Sequence, residues 1–358
     1  MPAVLKVLMS PADSDNPFIR LFSAALRARS VEIAPLTNRA ALGPAVDILL
    51  FHWPQNLATS KAFGTAWRSC TVMLARVLAQ KLRGARLVWM VHNTQSSDRR
   101  NTDLERLYMR IFTGLLDGVI MLESTAPGIV AERLPALRDK PSVTARHPLF
   151  GDAYPAGPGR AAARARLGLP PDERVLGFVG DIRDYKNLQG LLQACREADG
   201  DRFHLFIAGA LHRNASAGAV REGIGRLVVS GFPLVWLERR LDDEDLVAAI
   251  QACDVVALPY LEHGTINSGF AILALEHGAR LLVSDTAPFA ALKSEPGLPW
   301  VQAAPLPLRG CDVSAALKDP TFAPDSQARI ERFRTSRTWD ALADSTLELA
   351  ARVTGATR

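Results

Sequence analysis

Along the chain, short apolar runs alternate with longer segments in which apolar residues return every three or four positions. In the first half the runs predict strands over 5–9, 31–34, 47–51, 86–91, 118–121 and 142–145, with helices over 17–28, 62–81 and 103–115. A Pro- and Gly-rich stretch over 147–159 reads as a linker. A second series follows, with strands over 174–178, 204–208, 234–236, 255–258 and 280–283 and helices over 187–197, 243–252 and 268–277. Such alternation is the pattern of a mostly parallel sheet covered on both faces. The last periodic segment, 339–353, is expected to cross back onto the first half. The pattern therefore predicts an α/β protein of two doubly wound, Rossmann-like domains: residues 1–150 with a C-terminal helix over about 335–358, and residues 160–330.

Composition narrows the class without choosing a function. A chain of 358 residues with 48% apolar and 22% charged residues is neither disordered nor fibrous. The formal charge of +5 suits an anionic partner. Cys70, Cys195, Cys253 and Cys311 show no paired spacing, so neither a zinc site nor a disulfide framework is indicated, and a reducing cytoplasm fits. The N-terminus reads as a first strand and not as a signal peptide, and no apolar run approaches the ~20 residues that span a bilayer. Membrane contact is therefore expected to be peripheral, on the inner face of the cytoplasmic membrane.

The richest stretch in chemistry is 255–285: a buried strand, a polar turn with Asn267-Ser268-Gly269, a helix and a second buried strand. Asn267 and Ser268 are good cap residues, Gly269 lets a ligand approach the backbone, and a helix N-terminus attracts a phosphate. That terminus supplies only about 0.3–2 kcal/mol, so cations must add to it. They are available in Gly180-Asp181-Ile182-Arg183-Asp184-Tyr185-Lys186-Asn187, which follows the first strand of the second series. Arg183 can offer a bidentate fork and Lys186 a point charge to a diphosphate.

These residues carry a resemblance. The Gly180–Asn187 loop and the Leu-Pro-Tyr260…Asn267-Ser268-Gly269…Ala-Leu segment on two Rossmann-like domains resemble a GT-B glycosyltransferase, in which the two domains face a cleft. More narrowly, they are similar to the xanthan-pathway β-1,4-mannosyltransferase family, as are Phe51-His52-Trp53-Pro54, His92-Asn93 with the acid-and-Arg cluster after it, Asn16-Pro17-Phe18 and His147. The resemblance implies donor contacts from Gly180, Arg183, Lys186, Tyr260, Asn267, Ser268 and Gly269. It places Asn16, His52, Trp53, Asn93 and His147 on the acceptor side, with His52 and Trp53 as a platform for a sugar ring and His147 either facing the cleft or stabilising a turn. It further implies transfer of a sugar, with GDP-mannose as the donor, to a polyprenyl-diphosphate-linked oligosaccharide in exopolysaccharide synthesis.

One departure bears on the mechanism. The commoner retaining relatives carry two Glu with seven residues between them around this loop, and the corresponding positions here are Thr265 and Leu273. Glu262 and Glu276 lie out of register, and Glu276 is expected on an exposed helix face. The resemblance therefore implies an inverting, in-line displacement, with a base from the first domain taking the acceptor hydroxyl proton. Asp98 is the candidate, His92 its near rival, and Asp13 and Asp15 are weaker alternatives. Asp13-Ser14-Asp15 stands in the first loop, away from the proposed donor site, and neither a metal nor another cofactor is expected: cations and a helix terminus can hold the leaving diphosphate.

The segment 61–83 sets Trp67, Val72, Met73, Leu74, Val77 and Leu78 beside Lys61, Arg68, Arg76, Lys81 and Arg83. Its apolar side is expected to pack on the sheet, while its cations could dock on an anionic membrane surface. A sugar-nucleotide epimerase and a two-lobed small-ligand-binding protein are the alternative readings. A dinucleotide oxidoreductase is disfavoured because the loop over 10–16 has no glycine, and nucleic-acid binding because the cations are dispersed.

Overall fold

The computed structural model describes residues 4–96, 98, 100–198, 202–212, 216–261, 264–295, 298, 300–318 and 332–355. The chain forms two compact units: Met1–Pro148 with Gly264–Asn267 and Thr335–Arg358, and Leu149–His263 with Ser268–Arg334.

In the first unit, β1 (Lys6–Ser10), β2 (Glu32–Pro35), β3 (Ile48–Phe51), β4 (Arg86–Val91), β5 (Gly118–Leu122) and β6 (Ser142–Ala145) form a parallel sheet in the order β2-β1-β3-β4-β5-β6. The central strand explains why the runs were so apolar. Leu87, Trp89 and Val91 of β4 point into one cluster with helices Phe63–Lys81 and Thr102–Leu115, while Val88 and Met90 point into another with helix Pro17–Arg27. A strand buried on both faces has no polar side to alternate. The C-terminal helix, Trp339–Thr354, joins the second cluster through Leu342, Ala343, Leu347, Leu349 and Ala350. It does cross back onto the first sheet, and each of its buried leucines contributes roughly 1.5–3 kcal/mol.

The second unit holds β7 (Val175–Val179), β8 (His204–Ala208), β9 (Leu234–Leu237), β10 (Val255–Leu258), β11 (Arg280–Ser284) and β12 (Val301–Ala304), again all parallel, in the order β9-β8-β7-β10-β11-β12. Edge strand β12 was not expected from the sequence, nor were helices Ala126–Arg133, Arg160–Leu167, Ala217–Val229 and Gly310–Lys318. Helix Arg160–Leu167 has an Arg- and Ala-rich sequence that gives little apolar signal. What seats it is Arg164, fully buried, whose guanidinium donates to the carbonyls of Ala252, Pro170, Pro171 and Glu173 and pairs with Asp254 at 2.7 Å.

In each sheet the winding direction reverses once, between β1 and β3 and between β7 and β10. The loops at the carboxyl ends of such a pair diverge and leave a crevice for a ligand. The Gly180 and Tyr260 loops, and the Asn16 and His52 loops, are the ones that follow these strands.

Candidate functional site

In the second unit, the loop after β7 is drawn tight before it turns into helix Leu188–Glu197. Gly180 donates its N–H to Ala208 at 2.8 Å, and a Cβ on Gly209 would lie 2.1 Å from the Gly180 carbonyl oxygen. Only a glycine at 209 permits that approach. Lys186 ends a single 3-10 turn, Asp184–Lys186, and Asn187, in the left-handed region at φ 56°, caps the following helix by accepting from Gly190 N. Lys186 is 8% exposed, its Nζ stands 5.8 Å from the centroid of the Phe270 ring, and a Cβ on Gly180 would be 3.4 Å from it. Burial pulls the Lys186 pKa down to about 8, with Arg183 lowering it further and Asp181 opposing. Arg183 lies 3.8 Å from Asp181 and remains partly exposed.

The loop after β10 meets this one. Ser268 caps helix Gly269–Glu276 by accepting from Ala271 N at 3.2 Å, so the capping expected of it is real, and Phe270 in the first turn is the ring under Lys186. Gly180, Lys186 and Phe270 in the first turn of helix Gly269–Glu276 therefore come together where a cation and one helix N-terminus can neutralise an anion. Tyr260 differs from expectation. It is 3% exposed, wedged between the Tyr185 and Phe289 rings, and its carbonyl accepts the Ser284 hydroxyl at 2.6 Å. It shapes the loop, and its side chain is hydrogen-bonded to Ser268.

Asn267 falls with Gly264–Asn267 in the first unit. That segment pairs backbone to backbone with the end of β4: Thr94 donates to Gly264 O at 2.6 Å, Ile266 donates to His92 O at 3.2 Å, and Asn93 bridges to Thr265. Buried at 9% exposure, Asn267 keeps an amide nitrogen with no hydrogen-bond partner among the described residues. A buried donor left open in this way is rare and fits a ligand oxygen. Leu273 is 2% exposed inside the helix, so no carboxylate side chain stands at either position where the retaining pattern has Glu. Glu262 lies outside the described residues. Contrary to expectation, Glu276 is no free surface group: its carboxylate accepts the Phe150 and Gly151 amides at 2.8 and 2.7 Å, and burial raises its pKa against those two bonds.

The first unit collects its candidates into an aromatic nest. His52 follows β3 and His92 follows β4, and their Nδ1 and Nε2 atoms lie 3.1 Å apart. Trp53 stacks on His92 at 4.6 Å, and the Phe18 ring meets His92 and His147 edge-on at 4.8 and 5.3 Å. Asn16 holds Phe18 in place by accepting its backbone N–H at 2.9 Å as the cap of helix Pro17–Arg27. Burial lowers the pKa of all three histidines, His52 to about 3, and His92 is lowered further by its two neighbours. His52, fully buried, cannot be the sugar platform expected of it, and one face of Trp53 is occupied by His92. His147 takes the turn role: Nδ1 donates to Pro148 O at 2.8 Å, and its N–H donates to Glu123 at 3.0 Å.

Asp98 stands apart from that nest, half-buried on the loop before helix Thr102–Leu115 and held by its backbone to Ser96 and Arg100. Arg99 lies outside the described residues. Next to this loop a cavity of about 400 Å³ is lined by Thr94, Gln95, Arg106, Arg110 and Arg133, a cationic site the sequence reading missed because these residues come from three separate segments. Asp13 and Asp15 are exposed, and among the described residues no three His, Cys, Asp or Glu side chains gather as metal ligands would.

Helix Phe63–Lys81 corrects a further expectation. Cys70, Met73 and Val77 face inward, but Trp67 and Leu78, expected in the core, are 49% and 44% exposed, and Phe63 is 59% exposed. Arg76 donates to Asn38 at 2.8 Å and Lys81 pairs with Asp117, so of the cations Lys61, Arg68 and Arg83 remain on the exposed side.

No family model matches the chain. The D-inositol 3-phosphate glycosyltransferase of Kineococcus radiotolerans is 29% identical over 228 residues, spanning 56% of this chain and 49% of its own. The chain thus spans about half the length of that curated relative. The sucrose-phosphate synthase of Thermosynechococcus elongatus superposes over 99% of this chain and 100% of its own with a TM-score of 0.70 at 17% identity. The fold is GT-B. Anabaena Alr3699/HepE, solved with UDP and glucose, covers 97% of this GT-B chain and 100% of its own with a TM-score of 0.65 at 13% identity. The GT-B architecture accounts for the two sheets and the returning C-terminal helix. No helix among the described residues is long and apolar enough to cross a membrane.

Proposed function

We propose that this protein is a glycosyltransferase that moves a sugar from a nucleotide-sugar donor to a hydroxyl of the acceptor with inversion, and without a metal. The observation that carries the reading is the buried Lys186 beside Gly180 and over Phe270, at the switch point of the second sheet and at the N-terminus of helix Gly269–Glu276. Burying an ammonium without a carboxylate bonded to it is costly, and a diphosphate supplies the missing charge. Arg183 adds a second cation. The curated relative is named for glycosyl transfer, and the Anabaena protein was solved with UDP and glucose, which supports the same class of donor.

Inversion is supported by Thr265 and Leu273 where retaining relatives carry Glu. The base then comes from His92 or Asp98 in the first unit. Following the family resemblance, the donor is GDP-mannose and the acceptor a polyprenyl-diphosphate-linked oligosaccharide. The cavity with Arg106, Arg110 and Arg133 supports an anionic acceptor group, and the exposed Phe63, Trp67, Lys61 and Arg68 support docking on an anionic membrane.

A thermal-shift panel of GDP, UDP, ADP and dTDP sugars tests the donor reading. One nucleotide series should stabilise the protein, and Arg183→Ala and Lys186→Ala should abolish that shift. Absence of stabilisation by every nucleotide sugar would overturn the reading.

A further inference from the structure

Because β1, β3 and β4 are neighbours in the first sheet, with Met9 paired to Leu50 and Phe51 to Trp89, Met9, His52 and His92 form a diagonal row, each two positions further along its strand. His52 Nε2 lies 3.4 Å from Met9 Sδ, and His52 Nδ1 lies 3.1 Å from His92 Nε2. A thioether has no proton to give, so the first contact is a hydrogen bond only if His52 Nε2 carries the hydrogen. His52 is fully buried and neutral, which leaves its Nδ1 bare. The second contact then requires the hydrogen on His92 Nε2, and neutral His92 has an unprotonated Nδ1. The reverse order would set the Nε2 lone pair of His52 against sulfur and lose one of the two bonds. His92 Nδ1 has no hydrogen-bond partner among the described residues.

Both rings are fixed for this purpose. Trp89 Nε1 donates to the His52 carbonyl at 3.2 Å, Trp53 stacks on His92, and Phe18 closes its edge. The titratable groups facing His92 are His52 and His147.

We propose that His52 is a positioning residue: through the Met9–His52–His92 row it holds His92 as the Nε2–H tautomer, so that His92 Nδ1, and not the Asp98 carboxylate, receives the acceptor's proton. This rests on the transferase reading. In the step, the acceptor O–H bond breaks as its proton passes to Nδ1. The acceptor oxygen bonds to the anomeric carbon, and the bond from that carbon to the diphosphate breaks with its electron pair leaving on the nucleoside diphosphate. A second-neighbour residue that selects a tautomer is a known way of presenting the correct lone pair.

Long-range proton–nitrogen spectra of the full chain labelled with 15N-histidine read the tautomers directly. The expected result for His92 is a pyrrole-like Nε2 and a pyridine-like Nδ1; a proton on His92 Nδ1 overturns the proposal whatever the activity. His52→Leu removes the acceptor for Nε2–H, and should move the proton to Nδ1 and lower kcat by about 100-fold, while KM for the nucleotide sugar stays within about twofold. His52→Asn places Oδ1 near the former Nδ1, and should keep the tautomer and most of kcat. A His52→Leu protein that retains the Nε2–H tautomer overturns the role of His52; should that variant not fold, the wild-type and His52→Asn spectra decide. Should wild-type protein show the expected tautomer yet turn over no nucleotide sugar, the transferase reading and the base role of His92 fall while the tautomer assignment stands.

Discussion

Arg337 and Glu123, 214 residues apart in sequence, form a buried ion pair in which Nη2 donates to Oε2 at 3.1 Å and Nη1 donates to both Oε1 and the His147 carbonyl. Glu123 adopts φ 77°, in the left-handed region, and also accepts the His147 N–H. One carboxylate thus ties the end of β6 to the segment that leads into the C-terminal helix. Removing one partner of such a pair strands the other charge, so Arg337→Ala should cost about 3–5 kcal/mol. Urea denaturation measures it, and a loss below about 1 kcal/mol would contradict the pairing.

Acidification should destabilise the first unit. His52, His92 and His147 are all lowered by burial, His52 to about 3, whereas in the unfolded chain they titrate near ~6.5. Below that pH the unfolded chain binds protons that the folded one does not, so stability falls with pH from ~6.5 downward. His52 alone accounts for about 1.4 kcal/mol per pH unit, down to its folded value. Denaturant midpoints at pH 7.5 and 5.5 should differ, and His52→Asn should reduce the difference.

Donor binding should take up a proton in mild alkali. Lys186, near 8 in the free protein, is pushed upward by an adjacent diphosphate. Calorimetry with a nucleoside diphosphate at pH 8.5, in two buffers of different ionisation enthalpy, should show uptake that is near zero at pH 7. Lys186→Ala should remove the uptake and weaken binding by about 1.5–3 kcal/mol, roughly 10- to 100-fold in Kd.

Phe63→Ser combined with Trp67→Ser should leave the fold intact, since both side chains are about half exposed or more. Flotation with anionic vesicles should fall by about tenfold, and raising salt should weaken the wild-type interaction as expected of Lys61 and Arg68. Failure of the wild-type protein to float removes the membrane docking and leaves the donor site untouched.

The strands were legible because most are buried on both faces and carry unbroken apolar runs; β12, with Gln302 in a four-residue edge strand, sends no such signal. Helix Arg160–Leu167 was hidden for the opposite reason: its placement comes from one buried guanidinium, and an arginine in a polar helix looks like any solvated one. Lys186 and Ser268 could be picked out because glycine, cation and cap stand at short spacing after a strand. The His52–His92 contact could not, because 40 residues separate the two rings and only the adjacency of β3 and β4 joins them. Trp67 was misplaced because periodicity gives the width of an apolar stripe and not its end.

Glycines and caps mark where a ligand can approach, but the short run Gly264–Asn267 sets a different kind of limit. Anyone dissecting the protein at Pro148 and Thr335 to express its later half alone would carry along four residues whose backbone bonds run to His92 and Thr94. Such a fragment would enter helix Gly269–Glu276 from a loop stripped of its partners. Swapping halves between relatives would meet the same obstacle, unless the stretch over 92–95 travels with the loop that leans on it.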